Sequence, residues 1–88
     1  MNETEFSIII PVFNGEKYIK ECIESAVSQS FKGKYEIIVV NDGSEDKTEE
    51  IIKKFDDKKI KVYKNKNGGL AYSRNVGNSK AKGKYIIY

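Results

Sequence analysis

Histidine is absent from the 88 residues, and cysteine occurs once, at Cys22. The commonest general base and metal ligand is therefore missing, and a lone cysteine can form neither an intramolecular disulfide nor a cysteine metal site. No apolar run approaches the roughly 20 residues that span a bilayer. The opening MNETEF has neither the positive charge nor the apolar stretch of a secretory leader. The expectation is a reduced, cytoplasmic setting with no membrane segment in this chain. A block of one charge is also lacking. Sixteen Lys and Arg stand against 13 Asp and Glu, a net of +3, and they are interspersed. The densest basic stretch, Lys53, Lys54, Lys58, Lys59, Lys61, Lys64 and Lys66, is interrupted by Asp56 and Asp57. This reads as a solvated edge and excludes a nucleic-acid footprint, which masses its basic residues on one element. At this length the chain is one domain at most, with a small core and a marginal stability that partners or ligands would support.

What is present is a repeated alternation. Phe6 to Pro11 (FSIIIP) is a short run rich in β-branched residues, and Glu16 to Ser28 carries Tyr18, Ile19, Cys22, Ile23, Ala26 and Val27 at helical spacing. That spacing makes Cys22 a core-facing helix residue, not a nucleophile. Tyr35 to Val40 (YEIIVV) repeats the strand signal. Asp46 to Phe55, with acids in its first turns and Ile51, Ile52 and Phe55 on one face, repeats the helix. Ile60 to Tyr63 (IKVY) alternates, as suits a strand nearer an edge. Asn-Gly at 67 and 68 could open a hairpin, but Ser73, Asn75, Gly77, Asn78 and Ser79 are poor strand material, so Leu70 to Ala81 is predicted as a weak helix. Tyr85 to Tyr88 (YIIY) closes a βαβαβαβ order. The implied fold class is α/β, with a parallel sheet covered by helices on both faces.

In such sheets ligands lie outside the carboxyl ends of the strands, so unusual residues should gather in the loops that follow them. After the first strand comes Pro11-Val12-Phe13-Asn14-Gly15-Glu16. Asn14 can cap the next helix, and Gly15 permits a tight turn where free N–H groups favour anions, although a plain strand-to-helix turn is the favoured reading of these residues. Phe13 is either a lid on the core or a platform for a base. After the second strand comes Asn41-Asp42-Gly43-Ser44. A dinucleotide fold would need G-x-G-x-x-G after the first strand, and FNGEKY has one glycine; an EF-hand loop cannot be aligned on NDGSED. What remains is a strand-end carboxylate able to accept N–H or O–H donors of a nucleoside. After the third strand come Asn67-Gly68-Gly69 and then Arg74, suited to a base carbonyl, a phosphate or a surface salt bridge.

The blocks SIIIPVFNGEKYIKECIESAVSQSF, EIIVVNDGSEDKTEEII, NGGLAYSRNVG and AKGKYIIY, in this order, resemble the N-terminal half of glycosyltransferase family 2. Those are inverting enzymes with a GT-A fold that transfer a sugar from a nucleotide sugar, commonly UDP-linked, to an acceptor hydroxyl. The resemblance runs from Phe6 to Tyr88 and implies a Rossmann-like half of that fold. It implies that Pro11, Val12 and Phe13 flank the nucleobase, that Glu16 lies close to the nucleotide, and that Asp42 accepts the uracil imide N–H. It also implies that Gly69 lies near the nucleotide and that Arg74 reaches the base or the phosphates. The family's metal-holding Asp-x-Asp, for Mg2+ or Mn2+, is expected beyond Tyr88, as are the acceptor site and general base. No catalytic or metal residue is therefore assigned here, and no metal is expected to bind tightly. Residues 1–88 are expected to be a truncated nucleotide-sugar-binding part, inactive alone, of a longer parent; some family members carry membrane segments further on, and the sequence leaves open whether this parent does. A terminal strand left exposed should promote self-association. A non-catalytic nucleotide-binding module and a small flavodoxin-like interaction domain remain as alternatives.

Overall fold

The computed structural model describes residues 6–28, 35–55, 59–66, 68–83 and 85–87. Four strands, β1 (Phe6–Val12), β2 (Tyr35–Asp42), β3 (Ile60–Asn65) and β4 (Tyr85–Ile87), alternate with three helices, α1 (Ile19–Ser28), α2 (Thr48–Lys53) and α3 (Leu70–Lys80). The sheet order is β3-β2-β1-β4 and every pairing is parallel. This is the expected α/β architecture, and β3, whose sequence alternates, does lie at an edge. Of the last expected strand, Tyr88 lies outside the described residues, as does Asn67 of the glycine loop.

The continuous Ile and Val runs of β1 and β2 are central because both of their faces are covered. Ile8, Ile10, Val12, Ile37 and Val39 pack with Ile19, Ile23 and Ala26 of α1 and Ile52 of α2. The alternate residues Ile9, Ile38 and Val40 form a second cluster beneath Val76 of α3. Each such side chain withdrawn from water contributes about 1.5–3 kcal/mol of transfer free energy, so two central strands supply most of the apolar driving force. Cys22 sits half-buried against the first cluster, and burial pushes its thiol pKa up, which suits packing and not nucleophilic chemistry.

Two local expectations differ from the structure. Tyr18 lies outside α1 and is exposed, its ring held over Gly15, where an added Cβ would come within 2.8 Å of the ring. Gly77, which weakens α3 by propensity, marks where that helix meets β1: a Cβ there would fall 2.5 Å from Ile9 Cγ2. Close approach of helix and sheet, not permissive backbone, explains that glycine.

Candidate functional site

The carboxyl ends of β1, β2 and β3 stand side by side, with Val12 in register with Asn41 and Asp42 with Asn65. Phe13 and Asp42 therefore each follow the last paired residues of the two central strands. The loops leaving those strands are bonded to one another. Asn14 N–H donates to Ser44 Oγ at 2.9 Å, and Glu45 N–H donates to Asn14 Oδ1 at 2.8 Å. Gly15 N–H donates to Thr48 Oγ1 at 2.8 Å, and Glu16 N–H to Asp46 Oδ2 at 3.2 Å. Asn41 closes the second loop by accepting from Ser44 N–H.

This interlock corrects two expectations. Asn14 does not cap α1; it takes the left-handed conformation, φ 52°, that Asn tolerates better than most residues, and its side chain holds the neighbouring loop. The N–H groups of residues 14 to 16 are not open to an anion, because side chains of the β2–α2 loop and of Thr48, the first residue of α2, already accept from them. Asp46 also accepts from the backbone and hydroxyl of Thr48. Partial burial works against its charge, but the hydrogen bonds from Thr48 and Glu16 outweigh that and hold its pKa below the usual carboxylate range.

Asp42 is 1% exposed. Its Oδ1 accepts from Gly68 N–H at 2.7 Å and its Oδ2 from Gly69 N–H at 2.8 Å. The strand-end acid thus fixes the glycine loop after β3 and the start of α3. A carboxylate offers about four lone-pair sites, so two amides leave it acceptor capacity for another donor. Gly69 has φ 94°, which requires glycine. Asn65 Nδ2 and Ser73 Oγ are buried here without a protein hydrogen-bond partner.

Phe13, 39% exposed, is no lid on the core. Val12 has its side chain in the first core cluster and offers a ligand only its backbone. Pro11 is half-buried, while Glu16 and Arg74 are exposed, Arg74 just over one turn into α3. The structure gathers Phe13, Asp42 and Gly69 at one sheet end, with Glu16 in the loop beside them. What the sequence did not reveal is that Ser44, Asp46 and Thr48 hold the loop carrying Phe13. The signal for them was the density of hydroxyl and acidic side chains in GSEDKT.

A family model described as glycosyl transferase family 2 matches residues 7–88. The chain belongs to glycosyltransferase family 2. An uncharacterized glycosyltransferase of Rickettsia prowazekii is 52% identical over 82 residues, covering 93% of this chain and 25% of that protein. The poly(ribitol-phosphate) beta-N-acetylglucosaminyltransferase TarS of Staphylococcus aureus is 36% identical over 88 residues, covering 96% of this chain and 15% of TarS. The crystal structure of S. aureus TarS 1–349 in complex with UDP superposes with a TM-score of 0.84 at 38% identity, covering 94% of this chain and 26% of that one. The chain thus spans about a quarter or less of the length of these relatives. Its sheet and helices have the architecture of the GT-A glycosyltransferase TarS.

The family implies a divalent metal. Among the described residues, however, no three His, Cys, Asp or Glu side chains come together as a metal cluster, so the residues described do not fit one. No described helix is long and apolar enough to cross a membrane.

The other end of this family 2 sheet carries a buried polar network that sequence reasoning passed over. Glu36 Oε2 accepts from Ser7 Oγ at 2.6 Å and Lys82 N–H at 2.6 Å, and Oε1 accepts from Lys61 Nζ at 3.0 Å. Gly83 N–H donates to Ser7 Oγ. Burial of Glu36 works against its charge, yet these hydrogen bonds and the Lys61 charge outweigh it and lower its pKa. The network ties the segment that leads into β4 to the first residues of β1 and β2. An acid inside an otherwise apolar strand, YEIIVV, was its signal, since a buried charge needs partners.

Proposed function

We propose that these residues form the nucleotide-recognition part of an inverting glycosyltransferase that transfers a sugar, a hexosyl or related group, from a UDP-linked donor to an acceptor hydroxyl. The observation that carries the proposal is Asp42, a buried carboxylate at the end of the central strand with acceptor capacity to spare, one register step beyond the same strand pairing as the exposed Phe13. The UDP complex of the superposable TarS structure supports it.

In this reading the Phe13 ring stacks on the base, a contact every base can make through its π face. Asp42 accepts the imide N–H of uracil. The backbone of Pro11 and Val12 lines the base edge, Glu16 and Gly69 border the nucleotide, and Arg74 meets a base carbonyl or the phosphates, for which its planar fork of donors is suited. Cytosine carries a lone pair in place of the imide N–H and would set an acceptor against the carboxylate, so uridine would be chosen over cytidine. Residues 1–88 recognise the donor, and no catalytic residue is assigned among them. Catalysis would further need a metal to neutralise the leaving diphosphate and a base to deprotonate the acceptor.

Calorimetric titration with UDP tests this: weak heat is expected for the chain and none for Asp42→Ala. Absence of heat with the wild-type chain, or equal heat with CDP, would overturn the reading. We also infer that β4, at the edge of the sheet, supports self-association. Sedimentation velocity should show an s-value that rises with concentration, and a constant monomer value would refute this.

A further inference from the structure

We propose that Asp42 is the N-terminal cap of α3, supplied from β2, and that it positions the helix that carries Arg74. The sequence of α3 provides no cap of its own. Its N-cap residue is Gly69, which has no side chain, and its first turn contains no acid. In a capping box, the acid at the third helical position reaches back to the N-cap N–H. Here that position is Tyr72, and the N-cap N–H is bonded by Asp42 Oδ2 from another element, 27 residues away in the chain. The second oxygen takes the N–H of Gly68, the residue before the cap. The first intrahelical bond, Ser73 N–H to the Gly69 carbonyl, starts from the residue that Asp42 fixes.

The helix depends on this. It holds Gly77, it is weakly amphipathic, and an uncompensated N-terminus would expose several unpaired N–H groups. The negative charge of Asp42 also faces the positive end of the helix dipole. Arg74 lies just over one turn from the cap, so its position at the sheet end is set through Asp42. A base that donates to the same carboxylate then meets an acid whose orientation α3 has already fixed. This last step rests on the nucleotide-binding reading; the capping step does not.

Native-state amide exchange in the full chain tests the cap. Asp42→Asn replaces one acceptor oxygen with an NH2 group and should lower protection of the α3 amides roughly five- to tenfold, the usual effect of losing a cap. In that background Tyr72→Glu supplies a local capping-box acid and should restore most of the protection. In the otherwise wild-type chain the same Tyr72→Glu should add little, because Gly69 N–H is already taken; that comparison requires no destabilised variant. Unchanged α3 protection in Asp42→Asn, or an equal gain from Tyr72→Glu in both backgrounds, overturns the proposal. UDP affinity separates the two roles. If Asp42→Asn with Tyr72→Glu regains protection but not affinity, the carboxylate both caps the helix and meets the base. If affinity returns with protection, the positioning role stands and the direct base contact is refuted. If the wild-type chain binds no UDP, the nucleotide reading falls, and exchange alone decides the cap.

Discussion

Replacing Thr48 by Val probes whether the loop carrying Phe13 is held by its neighbour. Thr48 is fully buried, and its hydroxyl both accepts from Gly15 N–H and bonds to Asp46. Valine has nearly the same shape, so the substitution opens little cavity and chiefly removes the hydroxyl. Gly15 is itself buried and its N–H would lose its acceptor, at a cost of about 1–3 kcal/mol. The extra methyl returns about 0.8 kcal/mol of transfer free energy, leaving a net destabilisation of roughly 0.2–2 kcal/mol, centred on about 1 kcal/mol. With a urea slope near the low end for small domains, the unfolding midpoint should fall by about 1 M. Serine at 48 keeps the hydroxyl and loses the methyl, so it too should cost about 1 kcal/mol and stability alone cannot separate the two. Exchange at the Gly15 amide can: it should become fast in Thr48→Val and stay protected in Thr48→Ser. Equal protection of the Gly15 amide in both variants would refute the interlock as the support of that loop.

Gly77→Ala should destabilise the chain despite the helix propensity of alanine. Contact with the stiff, buried Ile9 costs about 1–3 kcal/mol and outweighs the roughly 1 kcal/mol gained by removing a helical glycine; a raised urea midpoint would refute this. Glu36 makes stability depend on acid pH. Its folded pKa is lowered from an unfolded value of about 4.3, so its contribution is complete above that value and is lost as pH falls through the folded pKa. The urea midpoint of the wild type should fall below about pH 4.3, and that of Glu36→Gln should fall less steeply. Some slope should remain in the variant, since hydrogen bonds to Asp46 and Glu49 lower those pKa values too. Parallel curves for the two proteins would show that the network does not carry this dependence.

The strands were legible because Ile8 to Ile10 and Ile37 to Val40 combine β-branched side chains with length too short for a helix. The third helix was legible by exclusion, since Ser73, Asn75 and Asn78 cannot make a strand. The partners of the loop polar groups were not legible. Asn14 bonds residues about 30 positions away, and Asp42 bonds Gly68 and Gly69 across a similar gap. Those bonds depend on the register of β1 against β2 and of β2 against β3, which residue patterning alone does not specify. Local rules instead assigned Asn14 to the nearest helix start. Gly77 misled in the opposite direction: propensity marks it as a weakness, whereas its packing against Ile9 appears only once α3 is laid across β1. Glu36 is an acid inside the otherwise apolar YEIIVV, but its three partners, Ser7, Lys61 and the Lys82 N–H, come from β1, β3 and the segment before β4, so its role could not be read along the chain.

The interlocked loops also bear on how a nucleotide would be recognised. In folds that bind phosphate after the first strand, a glycine-rich turn aims unbonded N–H groups at the anion. Here the N–H groups of Asn14, Gly15 and Glu16 are taken by Ser44, Thr48 and Asp46, and the Asp46 carboxylate beside them would repel a phosphate. Anion recognition by that loop would have to break three hydrogen bonds and approach a negative charge. In the proposed nucleotide-binding reading, recognition at this sheet end would accordingly be weighted toward the base, with stacking on Phe13 and an acceptor at Asp42, and the cationic contribution would fall to Arg74. The N–H groups of residues 14 to 16 and of Gly68 and Gly69 are committed to protein acceptors before any ligand arrives. In that reading binding would order few of these groups, and the conformational cost of association would be correspondingly small.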